Sequence, residues 1–418
     1  MKKTYLQRMT VLAAFLIPHF SLLISSAQTL NVQVGSVTYQ FPAAQTGEMT
    51  YGDGTTLTIM GKTFTISEIS SMTVDNTEVK DSQVGIVYNG TLASVTVAGN
   101  VAQYVTPTIS GADVTIDTGN STDSLLLVLS GSTTDGSLLV NREKKYGILL
   151  NGVSIHNADG PAINNQCGKS LFLEVAAGTT NTLSDCTVYA EKSFDQKGTL
   201  FSEGQVYILG SGTLQVNSNC KHAIASDDYI VMAGDATLNL TSSTGSGIKV
   251  NDGLWINGGT LGISVTADAA RGIKSDSVVV ITGGNITIKT TGDDVYEAAE
   301  DDYSSAACIK CDYPFTMSGG TLTMTSSGDG GKGLNCDGAV TISGGTFSAI
   351  TSGGNDNSKP KAVKGNGITV SGGSFYAKVS KSWACDNGVD SETPADHITI
   401  VGTPSKSSIT KKEVNIVF

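Results

Sequence analysis

The sequence predicts an all-β protein: a parallel β-helix with three strands per rung, preceded by a small N-terminal β module. Three observations carry that expectation. A unit of about 24 residues recurs through the second half of the chain, each unit alternates apolar and polar residues with period two, and a double glycine stands at a fixed place in most units. Composition agrees. Only 15% of the 418 residues are charged and 49 are glycine, while helix-forming residues never cluster.

Taken in order, the chain begins with Lys2, Lys3 and Arg8 ahead of the apolar run "VLAAFLIPHFSLLI" and then "SSAQ". That arrangement reads as a secretory signal peptide over residues 1–27, cleaved after Ala27, and places the mature protein outside the cell or in a periplasm. Pro18 and His19 break the run, which argues against an anchor. No later segment approaches the roughly 20 apolar residues a membrane helix requires, so no membrane insertion is expected. Residues 28–105 carry a hairpin pattern of their own, "TLTIMGKTFTIS" around Met60, Gly61 and Lys62. They form the predicted N-terminal module, and 106–418 form the helix domain.

The units begin at Leu200, Ala223, Gly247, Gly272, Cys308, Gly333 and Ala362, spaced by 23 to 36 residues. Insertions at only two places are what a solenoid gives when loops grow on one edge. Ile248, Ile273, Ile309, Leu334 and Val363 should share an inward column on the first strand. Pairs such as Val279 and Ile281 precede the double glycine, and pairs such as Ile286 and Ile288 follow it. Period two means one buried face per strand. The glycine pair marks a corner where a Cβ would obstruct the turn. "HITIVG" and "EVNIVF" are expected to cap the far end.

On the first strand, the residue after the buried aliphatic is Lys249, Lys274, Lys310, Asn335 and Lys364, followed two positions later by Asn251, Asp276, Asp312, Asp337 and Asn366. Stacked ~4.8 Å apart, lysines repel by about 1 kcal/mol in water and about 3 at an effective dielectric of 20. Either the strip is a self-compensating Lys/Asp ladder, or it matches a long ligand of similar repeat, such as a polysaccharide carrying carboxylates. The insertion "TTGDDVYEAAEDDYSSAACIKCD" enters this strip with Asp293, Asp294, Glu297, Glu300, Asp301 and Asp302. Six carboxylates so close need water or a cation, and Ca²⁺ with its six to eight oxygen ligands suits them. A solvated acidic loop is the plainer alternative. Tyr296 and Tyr303 are candidates for stacking on sugar rings. On the second strand the outward column reads Ile208, Val231, Trp255, Val280, Thr316, Thr341 and Thr369. Trp255 is a candidate sugar platform, and the segment "TVYAEKSFDQKG" is a candidate cover for the apolar part.

Other functions are excluded or weakened. A net charge of −12 does not suit nucleic acid. "GDGGKG", Gly328 to Gly333, fits a phosphate-loop pattern, but a strand rather than a helix should follow it. His156, His222 and His397 form no metal or triad spacing. All seven cysteines follow the leader, so at least one is unpaired within the monomer. Cys311 and Cys336 share an inward column, which Cys385 is expected to continue, and they read as buried thiols. Strand parity separates Cys308 from Cys311.

"LNGVSIHNADGPAINNQ", the following "GTTNTLSD", the G-I-K-x-D rungs and "GDDVYEAAEDD" together resemble a secreted carbohydrate-binding β-helix family of clostridia and Bacteroides-like bacteria, over roughly residues 108–418. The resemblance implies a right-handed parallel β-helix shaped like pectate lyases, bound calcium, and affinity for cellulose and for acidic plant polysaccharides such as polygalacturonate. A calcium-assisted polysaccharide lyase working by β-elimination is the enzymatic alternative. It needs a cation on the uronate carboxylate and a basic group within reach of the C5 proton. Arg271, Lys274 and Lys310 are its candidates, Arg271 being the only arginine in the units from residue 200 on. A lysine repeated on several rungs fits a binding comb better than one tuned base. A structural adhesin is the third class.

Overall fold

The computed structural model describes residues 28–119, 124–354 and 357–418, and the expected leader lies outside them. The described residues form strands joined by turns and two short 3₁₀ segments, and no helix among them is long and apolar enough to cross a membrane.

The repeat builds three parallel ladders, each strand pairing with its counterpart one rung away. The first ladder includes His222–Ser226, Ile248–Val250, Arg271–Ser275, Ala307–Cys311, Lys332–Cys336 and Lys361–Lys364. The second includes Tyr229–Met232, Gly253–Ile256, Val279–Ile281, Phe315–Met317 and Val340–Ile342. The third includes Thr260–Val265, Asn285–Thr290, Thr321–Ser326, Thr346–Thr351 and Ser374–Val379. The expected inward column Ile248, Ile273, Ile309, Leu334 and Val363 is in register and buried.

Three register assignments differ from the sequence reading. Leu200 pairs with Ile224 rather than Ala223, so the unit there starts one residue earlier. Ile208 points inward and aligns with Met232, whereas Tyr207 aligns with Val231 in the outward column. "VYIL" is apolar at both parities, and Ser-Gly replaces the double glycine after it, so neither signal fixes the phase. Cys385 aligns with Val363 in the aliphatic column instead of continuing Cys311 and Cys336.

The double glycine does two jobs. A Cβ on the first glycine would meet the neighbouring rung's backbone: at Gly283 it would stand 2.3 Å from the Asn257 carbonyl oxygen, and at Gly344 2.4 Å from that of Ser318. The second takes a positive φ, +84° at Gly284 and +80° at Gly345, where L-residues are strained.

Both ends are closed by pairing. Gln83–Asn89 runs parallel to Leu126–Thr133, which pairs onward with Tyr146–His156, so the N-terminal strands hydrogen-bond directly into the stack. Thr56–Ile59 and Lys62–Thr65 form the hairpin expected at Met60 and Gly61, both at positive φ. Glu413–Val417 lies antiparallel to Ser374–Val379 and ends the third ladder.

Candidate functional site

The outward column of the first ladder holds Lys249, Lys274, Lys310, Asn335 and Lys364 in unbroken register. Two of its four lysines are neutralised one rung ahead. Lys249 bonds to Asp276 and, at 2.9 Å, to Asn251, and Lys310 bonds to Asp337 and, at 3.1 Å, to Asp312. Burial pulls the Lys310 ammonium down, but its bonds to Asp337 and Asp312 outweigh this and leave it above its ordinary pKa. Such pairs near a surface contribute little individually, about 0–1 kcal/mol. Two lysines are left over. Lys274 has only a 3.8 Å approach to Asp276, and Lys364 is exposed and in no ion pair among the described residues.

His222, one rung before Lys249, feels this charge. Burial first, then Lys249, Lys274 and Lys221, push its pKa down from 6.5 to about 4, and its Nδ1 accepts a hydrogen bond from the Ser246 amide at 2.9 Å. The folded pKa is depressed, so the neutral ring contributes stability above pH 6.5 that is lost as pH falls towards 4. The loss amounts to about 3 kcal/mol over that window. His222→Asn keeps an acceptor without the titration. Denaturation midpoints at pH 7 and pH 4.5 should therefore differ clearly less in the variant than in the parent.

Arg271 does not join the strip. It occupies the opposite-parity column with Ala307, Lys332 and Lys361, and its guanidinium bonds to the Ala269 carbonyl and, at 2.8 Å, to the Ser304 hydroxyl. Among the described residues its buried Nε has no hydrogen-bond partner. Lys274 lies three positions after Arg271, an odd step that sends the two side chains to opposite faces.

The acidic insertion is a small hairpin, Val295–Glu297 against Asp302–Ser304, with Tyr296 directly across from Tyr303 at 5.2 Å between ring centroids. Its first two carboxylates already serve the scaffold. Asp293 accepts the Asp329 amide at 2.8 Å and Asp294 accepts the Ser358 amide at 2.8 Å. Asp301 accepts the Tyr296 hydroxyl, and Asp302 accepts the Tyr303 amide. Among the described residues, no three of Asp293, Asp294, Glu297, Glu300, Asp301 and Asp302 gather their oxygens around one point. Asp195, Glu203 and Asp227 do. The sequence reading missed this trio, whose members come from separate strands and loops. The Lys197 ammonium sits among them, 2.6 Å from Asp195 and 2.5 Å from Asp227. Burial first, then Asp227 and Asp195, raise the Glu203 carboxyl.

The second ladder carries an aromatic row that the slip at Ile208 concealed. Phe172 stacks on Tyr207 at 5.2 Å, Tyr207 meets Tyr229 edge-on at 5.9 Å, and Tyr229 meets Trp255 edge-on at 5.6 Å. All four are half-buried, so the stripe covers itself. The segment expected to cover it, around residues 187–198, contacts Asp227, Phe201 and Lys221 on the first ladder's side instead. The Trp255 ring lies over Gly253, where a Cβ would stand 2.9 Å from it.

Fold and face together define an all-β protein of stacked parallel ladders with one long charged strip. A family profile described as carbohydrate-binding domain-containing protein matches residues 110–276 and 263–358, more than half of the chain, and the chain belongs to that family. It is 30% identical over 119 residues to a carbohydrate-binding domain-containing protein of Acetivibrio thermocellus, covering 27% of this chain and 42% of that one. The match thus spans less than half the length of this relative. A solved structure titled as the polysaccharide lyase-like protein from C. thermocellum, a gadolinium derivative, aligns with 62% of this chain and 96% of that chain, at 25% identity and a TM-score of 0.49.

Proposed function

We propose that this is an exported polysaccharide-binding protein, a right-handed parallel β-helix that takes an acidic, uronate-bearing glycan along the outward face of its first ladder. The observation that carries the proposal is the in-register column of Lys249, Lys274, Lys310 and Lys364, interrupted only by Asn335, in which Lys274 approaches Asp276 no closer than 3.8 Å and Lys364 has no acidic partner among the described residues. A rigid row of cations with two weakly paired members suits a ligand with repeating carboxylates, because ionic hydrogen bonds are the stronger ones. Membership of the carbohydrate-binding family supports the same reading.

Calcium is part of the proposal. A bridging Ca²⁺ needs only a few protein oxygens when uronate and water complete its shell. Glu297 and Glu300, with the second oxygens of Asp293, Asp301 and Asp302, are the donors on the acidic insertion, Asp294 already accepting from Asn357 and Ser358 through both of its oxygens, and Tyr296 and Tyr303 flank them. The half-buried, paired Lys310 ammonium and the diverted Arg271 favour binding over β-elimination, since two of the three candidate basic groups are committed to the scaffold. The half-buried Trp255 ring favours a second, neutral ligand such as cellulose on the adjacent face.

Electrophoresis of the mature protein through native gels tests this. Polygalacturonate in the gel should retard it with calcium present and retard it clearly less with chelator. Migration unaffected by polygalacturonate under both conditions would remove the acidic-glycan reading.

A further inference from the structure

Two of the seven cysteines, Cys186 and Cys220, are half-exposed, while the other five are buried. The two lie on neighbouring rungs. Ser184 pairs with Asn217 at the end of the third ladder, and the next residues are tied by a two-way clamp. The Asn219 amide donates to Asp185 Oδ1 at 2.6 Å, and the Asn219 side chain donates to the Asp185 carbonyl at 2.8 Å. Each cysteine is the residue immediately after its half of that clamp. Rungs stack ~4.8 Å apart, inside the Cα range of roughly 4.4–6.8 Å that a disulfide accepts.

We propose that Cys186 and Cys220 are a disulfide site, a clasp that fastens the start of the 186–197 insertion to the following rung. The insertion already lies along that rung: the Lys221 ammonium donates to the Gln196 carbonyl at 2.6 Å and stands 5.5 Å from the Tyr189 ring centre. Its far end carries Lys197, which bridges Asp195 and Asp227 at the head of the charged strip. A clasp at its near end would hold both ends of the segment. The proposal is independent of what the protein binds.

The oxidant is a small or protein disulfide. The Cys186 thiolate attacks one sulfur of that disulfide and releases one thiol, leaving a mixed disulfide. The Cys220 thiolate then attacks Cys186 Sγ and releases the second thiol. Two protein thiols are oxidised, one external disulfide is reduced to two thiols, and both cysteine protons end on the released thiols. Burial raises the Cys186 thiol above its ordinary value, with the Asp185 and Cys220 charges adding to this, so exchange is faster in mild alkali.

Cys311 and Cys336 are the rival pair, in register on the first ladder but sealed in the core where no exchange partner reaches them. The test incubates the folded, fully reduced protein with oxidised glutathione at about pH 8. Denaturation, alkylation and non-reducing peptide mapping follow. The expected result is the loss of two alkylatable thiols and one cross-linked peptide joining Cys186 to Cys220. In Cys220→Ser, Cys186 should instead carry a glutathione adduct. Alkylation of all seven cysteines, or a cross-link confined to Cys311 and Cys336, would overturn the proposal.

Discussion

Gly328→Ala should destabilise the protein by about 3 kcal/mol or more, through a backbone collision that no rotamer relieves. Gly292, Gly328 and Gly353 follow one another at the corner between the third ladder and the first. A Cβ at Gly328 would lie 1.8 Å from the Gly292 carbonyl oxygen and 2.4 Å from its carbon, and Gly353 repeats the approach onto Gly328 at 1.8 Å. Moving one rung away to make room would disturb the next, because each rung rests on its neighbours. Gly168→Ala is the control: nothing lies within 4 Å of its hypothetical Cβ, so its midpoint should stay within about 0.5 kcal/mol of the parent. Denaturant melts of both variants check the pair of expectations, and equal midpoints would refute the close-approach account of these corners.

Phe347→Ala should cost about 3–5 kcal/mol, the usual price of an aromatic cavity in a sealed core. Phe347 is fully buried, stacked on Phe375 at 5.0 Å with ring planes 10° apart and meeting Phe315 at 6.3 Å. Truncation removes the middle ring of three and leaves both neighbours facing a void. Phe347→Leu keeps most of the volume and should cost less than about 1.5 kcal/mol. Denaturant midpoints order the two variants, and amide exchange locates the weakened rungs. Alanine as mild as leucine would show that the rings are not packed as described.

Much of this architecture was legible because the repeat over residues 247–377 carries two independent signals, period-two alternation and a glycine pair. Where one failed, the phase slipped. At "SEGQVYILGSG" the alternation is apolar on both faces and the pair is absent, which hid Tyr207 and with it the aromatic row. The lysine column was legible for the same reason as the core. Its neutralisation was only half legible: Asp276 and Asp337 serve lysines on the preceding rung, a pairing set by the stacking of rungs. Asp293 and Asp294 read as metal ligands by charge density, yet the corner turns them onto backbone amides. The trio of Asp195, Glu203 and Asp227 has no sequence spacing to betray it, since a loop and two strand ends bring it together.

The central claim is that the weakly paired lysines of the first ladder, Lys274 and Lys364, take an acidic glycan, and calorimetric titration of oligogalacturonate in calcium measures it directly. The Lys274→Ala/Lys364→Ala double variant should bind about tenfold or more weakly than the parent, with both affinities falling as salt rises. Lys378→Ala, on the third ladder and paired with Glu413 at 3.3 Å, should bind as the parent does. A double variant that binds oligogalacturonate as tightly as the parent would contradict the claim and leave the lysine column as part of the scaffold.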